Sequence, residues 1–147
     1  MIYTAEQLER FRNEAKAKDL SAPSLFWDTA PEQLRYVCNG CGAEEAPKWQ
    51  RDVLTWIYRH YAPAHCIHDC DFELSDGSDE NFAAANLRFH ENLLQLWRFR
   101  YGSLRWINPI ALWGRNKIRL AYKAVCLCGK GAWMAAYARR LAEEVSL

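Results

Sequence analysis

The sequence predicts an all-α fold, and three observations carry that expectation. Helix-start signals recur along the chain, and apolar residues return every three or four positions through most of it. No stretch alternates apolar and polar residues with the period of two that a half-buried strand needs. At 147 residues, half of them hydrophobic and a quarter charged, the chain has the length and composition of one globular domain spanning 1–147. Five Pro and seven Gly are too few for long disordered linkers.

The first helix is predicted over about 5–18. Thr4-Ala5-Glu6-Gln7 is a capping box, in which the threonine oxygen takes an early amide and Gln7 reaches back. Leu8, Phe11 and Ala15 share its face, Ser21-Ala22-Pro23 breaks it, and Leu25-Phe26-Trp27 forms an apolar plug. Thr29-Ala30-Pro31-Glu32 starts a short helix running to about Val37, with Pro in the first turn. Asn39-Gly40 ends it, and residues 38–47 read as a loop. Pro47-Lys48-Trp49 opens a third helix with a stripe of Trp49, Val53, Trp56, Ile57 and Tyr61, stopped or kinked by Ala62-Pro63.

A short buried helix is expected over about 64–74. Ser75-Asp76-Gly77-Ser78-Asp79 is a turn that also caps a long amphipathic helix over about 80–99, marked by Phe82, Ala85, Phe89, Leu93, Leu96 and Trp97. A turn this short makes the two helices antiparallel and brings residues near 68 against residues 82–89. Asn108-Pro109 ends an irregular aromatic stretch, Tyr101 to Ile107. Helices over 115–126 and from Trp133 to about Glu144 follow, separated by Cys128-Gly129-Lys130-Gly131.

Charge is unevenly spread. Residues 1–96 carry 9 Lys/Arg and 16 Asp/Glu, while residues 97–147 carry 10 and 2. The basic part interleaves Trp106, Trp113, Tyr122, Trp133 and Tyr137 with Arg105, Arg115, Lys117, Arg119 and Lys123. That mixture suits a phospholipid or membrane surface, where rings sit at headgroup level and cations meet anionic lipid. Nucleic acid, a protein partner, or the chain's own acidic part would answer the same charge. No signal-peptide pattern opens the chain and no apolar run approaches the ~20 residues that span a bilayer, so a cytoplasmic location is the default expectation. In that setting the six cysteines are expected to be thiols or metal ligands rather than a disulfide framework.

Two dense patches carry the chemistry. One is Tyr36-Val37-Cys38-Asn39-Gly40-Cys41-Gly42; the other is Ala64-His65-Cys66-Ile67-His68-Asp69-Cys70-Asp71-Phe72. Cys38-x-x-Cys41 has the shape of a zinc knuckle, and Cys66 with Cys70 would complete a structural zinc site. A cystine from Cys38 or Cys41 to Cys66 or Cys70 is a further option if the protein is exported. His68-Asp69 supports a different division of labour, with the imidazole as general base and the carboxylate as a hard oxygen ligand for calcium. An EF-hand is set aside, because the position needing glycine is Leu74. Cys126 and Cys128 read as buried free cysteines, and His60, His65 and His90 as surface or satisfied histidines.

Cys66-Ile67-His68-Asp69-Cys70-Asp71-Phe72 resembles the catalytic helix of the phospholipase A₂ superfamily, whose pattern is His-Asp-x-x-aromatic. The Tyr36-x-Cys38-x-Gly40-Cys41-Gly42 run resembles that superfamily's glycine-rich calcium loop. Ala85-Asn86-Leu87-Arg88-Phe89 is similar to an Ala-Asp-x-x-Phe element of the phage and bacterial members. The likeness covers about 34–97, leaving 98–147 as basic, aromatic C-terminal helices. It implies a calcium-dependent phospholipid esterase of prophage origin. His68 would deprotonate the attacking water. Asp69, with backbone carbonyls of Cys38, Gly40 and Gly42, would hold calcium. Asn86 would orient His68 where the family pattern has aspartate, an exchange that implies weak or lost activity. The competing expectation is a non-enzymatic helical module, held by zinc or thiols and binding a partner through its basic region.

Overall fold

Side-chain caps fix where the helices begin. The computed structural model describes residues 3–38 and 48–145, and among these the chain is helical with no strand. Thr4 Oγ1 accepts the Gln7 amide at 3.2 Å and Gln7 Oε1 accepts the Thr4 amide at 2.8 Å, which starts α1 (Ala5–Ala17) with the predicted capping box. The apolar plug is a short helix, α2 (Ser24–Asp28), that seats Phe26 in the core. α3 (Pro31–Val37) follows with its proline in the first turn. Cys38 is described, whereas the rest of the predicted 38–47 loop, including Gly40, Cys41 and Gly42, lies outside the described residues.

α4 (Lys48–Ile57) forms as the stripe predicts, yet Trp49, Val53 and Trp56 on that stripe are exposed. Ala62-Pro63 does not stop a helix. A 3-10 turn (Arg59–Tyr61) leads straight into α5 (Ala62–Glu73), and Pro63 sits in its first turn, where no amide partner is needed. α6 (Asp79–Tyr101) is capped by Ser78 Oγ, which accepts the Asn81 amide at 3.2 Å. The stretch read as irregular is ordered as a 3-10 turn (Gly102–Trp106). α7 (Pro109–Cys128) begins well before the predicted 115, because Asn108 Oδ1 accepts the amides of Ile110 and Ala111 and so starts the helix. Only Gly129 separates it from α8 (Lys130–Val145). Cys126 is half-buried and Cys128 exposed, so the expectation of a buried pair fails: both fall on the outer side of the last turn of α7.

α5 is the hub. Eight of its twelve residues are buried, too many for a helix with a solvent face, and it packs against α1, α2, α3, α6 and α8. Leu8, Phe26, Leu34, Ile67, Phe89 and Leu93 meet in the core around it. Polar pins hold the periphery. Asn92 on α6 accepts the Ser21 amide at 3.0 Å and donates to the Ser21 carbonyl at 2.7 Å, tying the α1–α2 connection down. Trp97 Nε1 donates to the Ala111 carbonyl at 2.7 Å and ties α6 to α7 beside the buried Gly114. The α5–α6 turn needs its glycine: Gly77 has φ +77, and a Cβ on it would stand 2.7 Å from the Tyr137 ring of α8. No helix among the described residues is long and apolar enough to cross a membrane.

Candidate active site

On α5, His65, His68 and Phe72 stand at i, i+3 and i+7 and so share the face turned to α6. On α6, Asn86 and Phe89 stand three apart on the face turned back. The antiparallel pair predicted from the short turn therefore brings the two motifs together. His68 Nε2 lies 2.9 Å from Asn86 Oδ1. An amide oxygen carries no proton, so Nε2 must donate, and that bond fixes the tautomer. Nδ1 then holds the lone pair.

Aromatic rings enclose the pair. The His68 ring sits 4.4 Å from Phe72 and 4.4 Å from Phe89, leaving the residue 8% exposed and Asn86 1% exposed. Burial strips water from the imidazolium and lowers the His68 pKa to about 4; the Asn86 hydrogen bond opposes this only in part. A neutral amide orients the ring but offers no charge to hold a proton there. His65 is neither a surface histidine nor a satisfied one: its Nε2 is buried with no hydrogen-bond partner among the described residues. It packs edge-on against Tyr58 and Phe89, and burial, then His68, bring its pKa to about 3.

The second patch reaches α5 through Cys38. Its Sγ donates to the Cys66 carbonyl at 3.7 Å and shares hydrogen bonds with the thiols of Cys66 and Cys70. All three cysteines are fully buried free thiols. Cys38 is pushed up by its bond to Cys66 and by burial, against the pull of its bond to Cys70, and Cys70 is pushed up by its bond to Cys38 and by burial, with the charge of Asp69 adding to both. Asp69 is itself half-buried, and its charge is felt at Cys38. Gly40, Cys41 and Gly42 are outside the described residues. Among those described, no three His, Cys, Asp or Glu side chains form a group that could hold a metal ion. Asp69, Asp71 and Glu73 lie on a continuous helix, which removes the EF-hand loop geometry as well.

Sequence reasoning missed one pair at the same helix contact. Arg88 donates to Asp71 Oδ1, while burial lifts the Asp71 carboxyl to about 6 against the pull of that guanidinium. No spacing signal marked it: in an antiparallel pair the residues after His68 face those before Asn86, and only the long reach of the Arg88 side chain brings it back to Asp71. Neither of the two cavities described for the chain is lined by His68, Asp69 or Asn86. The chain matches no protein-family model, no curated protein and no solved structure.

Proposed function

We propose that the α5–α6 pair is the site of a phospholipase A₂-like ester hydrolase acting on phospholipid, with His68 as its general base. The observation that supports this most directly is the 2.9 Å bond between His68 Nε2 and Asn86 Oδ1. It leaves Nδ1 as the basic atom of a held imidazole, and a pKa of about 4 keeps that atom unprotonated at neutral pH. In the reaction, water would attack the ester carbonyl as its proton passes to Nδ1. The proton would then pass to the departing alkoxide, leaving a fatty acid and a lysolipid. Asp69 and the backbone carbonyls of Cys38, Gly40 and Gly42 would supply oxygen donors of the kind calcium takes, and the charge of Asp69 is felt at Cys38. Bound there, calcium would polarise the ester carbonyl and stabilise the oxyanion. Asn86 limits the rate. A base with so low a pKa takes a proton from water with little driving force, and an amide cannot stabilise the imidazolium.

Turnover of a fluorogenic phospholipid, with calcium and with a chelator, tests the reading. Calcium-dependent turnover abolished by His68→Asn supports it. A chelator-insensitive rate, or one His68→Asn leaves unchanged, ends it.

The buried free thiols of Cys38, Cys66 and Cys70 favour a second reading, a non-enzymatic helical module held by a thiol cluster. A folded protein with no ester turnover, destabilised by Cys66→Ser, would carry that reading.

A further inference from the structure

Four basic side chains come together without a salt bridge to any carboxylate of the described residues. A cavity of about 200 Å³ lies between the end of α4, the 3-10 turn after it, the last turn of α6 and the first half of α7. Arg59, His60, Arg100 and Lys117 line it, and none of its lining residues is acidic. Salt bridges among the described residues engage Arg12, Lys18, Arg88, Lys130 and Arg139, and none engages Arg59, Arg100 or Lys117. Glu14 is the acid whose charge is felt at His60, and it pairs with Lys18.

Rings and carbonyls hold these cations instead. The Arg59 guanidinium lies 4.7 Å over the Trp56 ring and donates to the Trp56 carbonyl at 2.9 Å. Lys117 Nζ lies 4.1 Å over Trp113 and donates to the Ile57 carbonyl at 3.3 Å. The Arg100 guanidinium lies 5.6 Å over Tyr101. Supports of this kind fix position without cancelling charge. Burial, then Arg59 and Arg100, lower the Lys117 pKa, which shows that the cations act on one another. An anion entering the cavity relieves that repulsion.

We propose that this cavity binds a phosphate group, with Arg59, Arg100 and Lys117 as its ligands. A dianion with three acceptor oxygens matches three convergent cationic donors in charge and in number, better than a carboxylate does. Trp56, Ile110 and Trp113 are all well over half exposed and form an apolar lip beside the cations, where the organic part of a phosphomonoester would rest. The site is separate from the His68 pair: Tyr61, on the cavity wall, precedes His68 by roughly 10 Å along the helix.

Inorganic phosphate is titrated into the full chain against chloride of equal ionic strength, read by calorimetry and by the His60 imidazole resonances. A second arm measures sedimentation with phosphatidylcholine vesicles, with and without phosphatidic acid. Saturable phosphate binding that shifts the His60 resonances, and weakens roughly tenfold or more in Arg59→Gln, Arg100→Gln and Lys117→Met, supports the site with free phosphate as its source. Weak phosphate binding beside strong phosphatidic acid binding, lost in the same variants, supports it with the lipid headgroup as its source. Arg105→Gln, outside the cavity, should change neither. Chloride matching phosphate, absence of binding in both arms, or binding indifferent to the three substitutions overturns it. The His60 readout needs only the unsubstituted protein, so misfolding of a variant does not blunt the test.

Discussion

Two regions use the same residue types to opposite ends. In the α5–α6 contact, Phe72 and Phe89 press on His68 and exclude water, and the imidazoles there are driven neutral. Around the end of α4 and along α7, Trp56 and Trp113 lie under Arg59 and Lys117 at the edge of solvent. The difference lies in how much water remains. A ring that completes a dry enclosure removes a charge by desolvation, whereas a ring under an exposed cation supports it through its quadrupole.

Breaking the dry enclosure should give the largest effect. Phe89 is almost fully buried and touches both His65 and His68, so Phe89→Ala should cost about 3–5 kcal/mol in urea denaturation. It should also bring both histidine pKa values back toward 6.5 in an NMR titration.

The pH dependence of stability comes next. His68 titrates near 4 when folded and near 6.5 when unfolded, so the unfolded chain binds more protons between these values. Its contribution is complete above pH 6.5 and is lost as pH falls toward 4, about 3 kcal/mol in all. His65 acts in the same direction. Asp71 acts in the opposite one, because its raised pKa of about 6 favours the folded state as pH falls through 6. Two histidines against one aspartate leave a net loss. Unfolding midpoints at pH 7 and pH 4.5 should show it, and a flat profile would contradict the neutral-histidine account.

Asn86→Asp sharpens the comparison by putting a charge into the dry region. A carboxylate at hydrogen-bond distance should raise the His68 pKa by about 1–3 units, visible in its imidazole titration. If the hydrolase reading holds, turnover should rise with it and its pH profile should move up. The smallest effect belongs to the wet region: Arg100→Gln should shift stability by no more than about 0.5 kcal/mol, since it removes a repelled charge at the surface.

What was legible in the sequence follows the same division. The Thr4 and Ser78 caps and the short 75–79 turn are local signals, and from them came the helix pair that sets His68 on Asn86. Pro63 was misplaced, because a proline that ends one helix and one that begins the next look alike until the flanking turn is known, and the start of α7 was placed late because the Asn108 cap went unread. The apolar stripe of α4 gave the helix but not its burial, because periodicity is silent on which side meets a partner. Arg59, Arg100 and Lys117 could not be grouped by spacing, since only the packing of α6 on α7 makes them neighbours.

The glycine turn wedged under Tyr137 has a consequence that reaches the C-terminal helix. A side chain at position 77 would have to displace the Tyr137 ring as well as hold a left-handed backbone, so any substitution there is felt in α8. The hairpin that sets His68 against Asn86 thus depends on a C-terminal helix that contributes neither residue.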